Sequence, residues 1–482
     1  MRVTSGRASF ALAAEQRERL AAQVSLAVRR ARRSGARTLA TCSLPLAADV
    51  DPTAVACCSR RPGEAWFAFE QPDRARAALA GLGEALVLET AGPGRFATLA
   101  QRWRELSAAA VGDGASTLPG DGPIAVGGFA FADDGGRSPH WAGFAPASLV
   151  VPEVTLSRFQ RAGKPAVRLT LATLACPDAT PEDLLARAHA RVEQLQMRPL
   201  PLLDPAPAGR FLLAGAMPPE HYEAAVARAV ELIRGGRMEK IVLAREVHVH
   251  APRPHDPAAV LGVLRQEFPS CFVFAVGRGD AALIGASPEL LVRREGQRVS
   301  TLALAGSTRR SADPAVDAHL GEQLLRDPSH REEHAIVARR IERNLRPHAV
   351  WVASAPEPMV VRIANIQHLA TPIRAQLAAP MDVLELAEVM HPTPAVGGEP
   401  LAAAAPLIPA LEGLDRGWYA GPLGWTDATG DGEFCVALRC ALLRGELARC
   451  YAGNGIVRDS VPAAELAETE VKLAALLPLL AG

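Results

Sequence analysis

A charge inside an apolar element costs free energy unless something pairs with it, so such positions are where chemistry should show itself. Lys240 opens the run Ile241-Val242-Leu243-Ala244-Arg245. Alone, it reads as a solvated charge at a strand edge. Glu289 lies in Gly285-Ala286-Ser287-Pro288-Glu289-Leu290-Leu291-Val292, a carboxylate framed by apolar residues that alone reads as an exposed turn. Glu333 extends by one turn the i, i+4, i+8 stripe of Val337, Ile341 and Leu345, which aims its carboxylate inward near a helix N-terminus. There it either complements the helix dipole or helps to hold a hard metal ion. Glu465, Glu468 and Lys472 share one helical face, although Glu468 and Lys472 alone would make a common surface ion pair.

Arg439 is harder to dismiss. It falls within Phe434-Cys435-Val436-Ala437-Leu438-Arg439-Cys440-Ala441-Leu442-Leu443, which reads as a strand apolar on both faces. A guanidinium there requires an anion, and a bound carboxylate is the natural one. Gly453-Asn454-Gly455 and Ala305-Gly306-Ser307 each follow a predicted strand and offer backbone N–H groups for further anions. The set points to a small dianionic or dicarboxylate substrate, with Mg²⁺ held by the protein's own carboxylates. Spacing alone goes no further.

The elements that must position these groups follow from periodicity. An amphipathic helix is predicted over 13–34 and a second over 220–234, stopped by Gly235-Gly236. Strands are predicted near 65–69, 126–131, 240–250, 271–277, 281–286, 290–294 and 298–304. Further ones are predicted at 421–425, 433–443 and 446–451. Helices are predicted at 316–326 and 330–345, with a last one from Pro462 to about Leu480. Strands in runs with helices between them imply a mixed α+β fold with mainly antiparallel sheet. The stiff segment Pro199–Pro207 separates a β-rich N-terminal portion, 1–207, from a denser region, 208–482.

Composition narrows the function. The chain has 482 residues, 49% hydrophobic and 22% charged, with 52 basic and 52 acidic side chains. That balance argues against nucleic acid held on a basic surface. No apolar run approaches the ~20 residues that span a bilayer. The stretch Arg7-Ala8-Ser9-Phe10-Ala11-Leu12-Ala13-Ala14 leads into a helix and is not read as a signal peptide. Eight scattered cysteines without a C-x-x-C pair fit small buried hydrophobes in a reducing cytoplasm, the expected location.

In these same residues the chain resembles the chorismate-utilising enzymes, and within them the isochorismate synthase branch, which is related to anthranilate synthase component I and salicylate synthase. The matching segments include Lys240-Ile-Val-Leu-Ala-Arg245, Gly285-Ala-Ser-Pro-Glu289, Leu304-Ala-Gly-Ser307, Glu333-His334 and His368-Leu-Ala-Thr-Pro372. They continue through His391-Pro-Thr-Pro-Ala-Val-Gly-Gly398, Asp415-Arg-Gly-Trp-Tyr419, Ala437-Leu-Arg439, Ala452-Gly-Asn-Gly-Ile-Val457 and Glu465-x-x-Glu468-Thr-x-x-Lys472. The likeness is strong over about 215–480 and faint before 205, where Gly127–Phe131 carries it.

The resemblance implies a single large α+β domain whose helices surround stacked antiparallel sheets. It implies Lys240 as the base activating water for attack at C2 of chorismate, and Glu289 as the acid for the departing C4 hydroxyl. Glu333 and Glu468 would bind Mg²⁺, with Glu465 supporting the metal through water. Arg439, Gly453 and Gly455 would grip the enolpyruvyl carboxylate. Gly306, Ser307, His368 and Lys472 would make the remaining substrate contacts. Anthranilate synthases carry glutamine in place of Lys240, so lysine favours water over ammonia, and no obligatory glutaminase subunit is expected. The alternatives are salicylate synthase, then aminodeoxychorismate synthase or a non-catalytic chorismate-binding protein. Isochorismate feeds menaquinone, siderophore and salicylate synthesis alike. Two positions depart from the family pattern: Ser329-His330 where a Lys-Asp pair is frequent, and Asn454 where alanine is common. Both are expected to stay clear of the acid, the base and the metal ligands.

Overall fold

The computed structural model describes residues 10–112, 121–161, 163–363 and 366–481, so Arg7–Ser9 lie outside the described residues. The apolar runs become strands of two large sheets, and every pairing among the described strands is antiparallel. In the twelve-stranded sheet, Phe272–Arg278, Ala281–Ser287, Cys440–Arg444, Leu447–Ile456 and Lys240–His250 lie side by side. In the ten-stranded sheet the order is Ile366–Leu377, Arg298–Arg309, Leu290–Glu295, Gly432–Val436, Pro422–Asp427 and Ile124–Phe129.

Strands from both sides of the Pro199–Pro207 connector join each sheet: Trp66–Gln71 pairs with Phe272–Arg278, and Ile124–Phe129 with Pro422–Asp427. The domain is therefore a single α+β body.

The central strands read as continuous hydrophobic runs because both of their faces are covered. Phe274 and Leu283 of one sheet share a core with Phe434 and Phe129 of the other. Val273 and Ile284, on the opposite face, pack with Val24 and Val28 of the helix Ala14–Ser34 and Leu261 of Pro257–Glu267. Among the described residues no helix is long and apolar enough to cross a membrane. All eight cysteines are free thiols.

Three expectations need correction. The predicted strand 433–443 is two strands, Gly432–Val436 in one sheet and Cys440–Arg444 in the other, joined by Ala437-Leu438-Arg439. Arg439 turns the chain there with φ 49°. Gly453–Gly455 and Ala305–Ser307 lie within strands and do not follow them; the second forms a bulge with Gly306 at φ 74°. The last helix ends at Leu473, and a separate short helix spans Leu477–Ala481.

A buried ion pair braces the strand that carries Lys240. Glu412 Oε1 accepts from the Ala244 amide at 2.7 Å, and Arg416 binds both Glu412 oxygens. Arg416 also donates to the Val242 carbonyl at 3.0 Å and to the Val396 carbonyl at 2.8 Å, with its guanidinium 4.2 Å from the Phe131 ring centre. Glu412→Ala leaves this buried cation unpaired and is expected to cost about 3–5 kcal/mol, read as a lower urea midpoint. An unchanged midpoint would contradict the brace.

Candidate active site

Two neighbouring segments cross from one sheet to the other at the same place. Pro288-Glu289 links Ala281–Ser287 to Leu290–Glu295, and Ala437–Arg439 makes the return crossing alongside. They are stitched together by Ala286 N–H to the Arg439 carbonyl and by Val436 N–H to the Glu289 carbonyl, both at 3.1 Å. The Ser287 hydroxyl donates to the Val436 carbonyl at 2.5 Å and accepts from the Glu289 amide at 3.2 Å. Glu289 and Arg439 therefore both stand at the parting of the sheets, beside a cavity of about 400 Å³. That volume lies within the range of small-ligand sites.

Every residue given a site role by the resemblance lines this cavity: Lys240, Glu289, Gly306, Ser307, Glu333, His368, Arg439, Gly453, Gly455, Glu465, Glu468 and Lys472. Lys240 begins its strand 1% exposed, and its Nζ donates to Glu333 Oε1 at 2.8 Å. Glu333 arrives on the helix Pro328–Leu345, whose first turn is capped by Asp327 accepting from His330 N–H at 3.0 Å. Gly455 leaves room for both, since a Cβ there would displace Glu333 Oε1 and the end of the Lys240 side chain, whose Cε would lie 2.5 Å away. Gly453 is required for a different reason: a Cβ would lie 2.8 Å from the Leu243 carbonyl of the paired strand. The two glycines thus serve close approach within a ladder, where the sequence suggested a turn of open amides.

On the far side, the helix Pro462–Leu473 brings Glu468 to the Ser307 hydroxyl at 2.6 Å and to Lys472 Nζ at 2.9 Å. Burial raises the Glu468 carboxyl, but Lys472 and the Ser307 hydroxyl outweigh it and bring it down to about 2. Glu465 keeps the effect of burial and is pushed up to about 7. His368 Nε2 accepts from Arg439 Nη2 at 2.9 Å, so its other nitrogen carries the proton toward the Gly306 carbonyl, 3.3 Å away. Burial, with Arg439 and Lys472 nearby, holds this imidazole well below its usual range and keeps it neutral. Burial also pushes the Glu289 carboxyl from 4.5 up to about 7, against the opposing pull of Lys240 and a 3.4 Å bond from the Thr393 hydroxyl.

Arg416, Tyr419 and Tyr451 also line the cavity, and Thr393 reaches Glu289 from behind its wall; the sequence assigned none of the four a role. Thr393, Arg416 and Tyr419 fall inside the quoted segments His391–Gly398 and Asp415–Tyr419, which was the signal available. Tyr451, apolar in context and stacked between Trp141 and Tyr419, gave none. Among the described residues Asn454 makes no side-chain hydrogen bond to Lys240, Glu289, Glu333 or Glu468, but it does bond Glu465 and Lys472. His330 packs against Gly306, its Cβ 3.3 Å from where a Gly306 side chain would begin.

Among the described residues no three His, Cys, Asp or Glu side chains group as a ready-made metal cage. Glu333 and Glu468 nevertheless reach one cavity from separate helices, each making its lysine contact through Oε1. Two carboxylates completed by water and substrate oxygens are what Mg²⁺ accepts, so the residues present fit that ion.

A cavity at the seam of two antiparallel sheets, lined by cations and by carboxyls of which two are raised to about 7 and one is lowered to about 2, defines an enzyme site for a small polyanion. A family model described as chorismate binding enzyme matches residues 26–481. The salicylate biosynthesis isochorismate synthase of Pseudomonas aeruginosa is 40% identical over 85% of this chain and 83% of its own length. Isochorismate synthase MenF of Bacillus subtilis is 33% identical over 75% of each. The solved menaquinone-specific isochorismate synthase of Escherichia coli superposes with a TM-score of 0.75 at 25% identity, covering 95% of this chain and 100% of that one. The chain belongs to the chorismate-binding enzyme family.

The buried acid gives a test that needs no substrate. The unfolded chain loses the Glu289 proton near 4.5 and the folded protein near 7, so this contribution to stability is complete below 4.5 and lost as pH rises through 7. Glu289→Gln cannot ionise, and at pH 8 it is expected to exceed the wild type by about 3 kcal/mol in unfolding free energy, the gap closing toward pH 5. Parallel stability curves for the two proteins would contradict a protonated Glu289.

Proposed function

We propose that this protein is an isochorismate synthase, converting chorismate reversibly to isochorismate with Mg²⁺. The observation that carries the reading is the placing of a buried lysine, Lys240, and a carboxyl raised to about 7, Glu289, on the walls of one cavity lined by Arg439 and Lys472. A base and an acid on one bound ring are what an addition with an allylic departure requires.

Arg439, its guanidinium fixed by His368, holds one substrate carboxylate, and Lys472 with Gly306 and Ser307 makes further polar contacts. Mg²⁺ held by Glu333 and Glu468, with Glu465 behind a water, would supply positive charge against the ring carboxylate. With Lys240 as the base, a proton leaves water as its oxygen forms a bond to C2. The ring's two double bonds each shift by one position, the C4–O bond breaks, and Glu289 protonates the leaving hydroxyl. One water is consumed and one released, so the reaction is an isomerisation. The fixed geometry also supplies catalysis by holding water and ring together.

The expected product of purified protein with chorismate and Mg²⁺ is isochorismate, resolved by liquid chromatography. Lys240→Ala and Glu289→Gln are each expected to lower kcat by about 10²–10⁴-fold, the usual range for a lost acid or base. Salicylate with pyruvate would move the protein to the lyase reading, and dependence on ammonia would exclude water chemistry.

A further inference from the structure

Asn454 sits on the strand Leu447–Ile456 between the two cavity glycines, and alternation turns its side chain to the opposite face, toward the helix Pro462–Leu473. It is 2% exposed, and its amide is used at both ends. Nδ2 donates to the Glu465 carbonyl at 2.7 Å and to Glu465 Oε2 at 3.0 Å, while Oδ1 accepts from Lys472 Nζ at 2.6 Å. Lys472 Nζ also donates to the Gly453 carbonyl and approaches Glu468 Oε1, each at 2.9 Å. An ammonium has three hydrogens, and here they meet three acceptors.

We propose that Asn454 is a positioning residue: it fixes the Lys472 ammonium at the rim of the cavity while anchoring Glu465 on the same helix. An unbranched lysine has four rotatable bonds, and holding it for a ligand costs rotamer entropy unless the protein has already ordered it. Without Oδ1 the ammonium is left with Gly453 and Glu468, and the pull of the carboxylate is no longer balanced by a neutral side-chain acceptor. Alanine offers neither bond. Aspartate would keep an acceptor for Lys472 but lose both donors to Glu465 and face its carboxylate. The side-chain amide, with an acceptor at one end and two donor hydrogens at the other, serves an ammonium and a carboxylate at once from this position.

The inference that this ordering serves substrate rests on the proposed function; the ordering itself does not. The chain has three lysines, Lys164, Lys240 and Lys472, so ¹⁵N-lysine labelling gives a spectrum of three ammonium groups, with Lys472 assigned by Lys472→Arg. In the wild type the Lys472 ammonium is expected to exchange slowly with water, and in Asn454→Ala at least about tenfold faster, as loss of a hydrogen bond to a charged group implies. With chorismate, Asn454→Ala is expected to raise KM by about tenfold while kcat stays within about twofold. In a Lys472→Met background the same change is expected to move KM by less than about twofold, because its route of action is gone.

An unchanged Lys472 signal, or an equal rise in KM in both backgrounds, would overturn the positioning role. Absence of isochorismate from the wild type would instead overturn the functional reading, with the ammonium exchange still deciding whether Asn454 orders Lys472.

Discussion

The paired crossing of Pro288-Glu289 and Ala437–Arg439 between the sheets is the constraint from which the site follows. Two antiparallel sheets packed face to face would ordinarily close over a dry core, as they do around Phe274 and Phe434. Where both segments change sheet together, the faces part and leave polar groups pointing into the gap. The crossing is stable because its backbone groups find each other: the Ser287 hydroxyl and the two amide–carbonyl bonds satisfy donors that would otherwise be buried unpaired. Glu289 and Arg439 are then fixed by the backbone that carries them, at the place where fixed geometry matters most.

Burial sets the electrostatics of the gap. Desolvation favours the neutral form of every acid there, and the outcome at each depends on its partner. Glu468, beside Lys472 and the Ser307 hydroxyl, is brought down to about 2, whereas Glu289, opposed by Lys240 and a 3.4 Å contact from Thr393, is still raised by burial to about 7. Two carboxyls within one cavity thus come to lie on opposite sides of the ordinary carboxylate range without any difference in residue type. Lys240 is balanced by Glu333, so the protein neutralises its own cations and anions in pairs. A polyanionic substrate and a divalent ion together can replace those pairings with little change in net charge.

Much of this was legible in the sequence, because periodicity and burial leave marks on local composition. The strands near 240–250 and 281–286 and the helix carrying Glu333 fall close to their predicted places. The inward aim of Glu333 followed from its stripe with Val337 and Ile341. What failed was non-local. The break at Ala437–Arg439 is hidden because both sheets present apolar inner faces, so two strands read as one. Gly453 and Gly455 looked like a turn because glycine marks turns, while here they admit Glu333, Lys240 and a neighbouring strand. The Lys240–Glu333 pair joins residues 93 apart in the chain, and no local pattern reports it.

The proposed reaction requires the seam to hold the chorismate ring with C2 toward Lys240 and C4 toward Glu289. The most direct measurement is a crystal structure of Glu289→Gln, slowed in turnover, soaked with chorismate and Mg²⁺. The predicted result has the C4 hydroxyl within hydrogen-bond reach of the amide that replaces the Glu289 carboxyl, a water between Lys240 Nζ and C2, and a carboxylate on Arg439. A ring bound with C2 and C4 exchanged, or seated away from the seam, would contradict it.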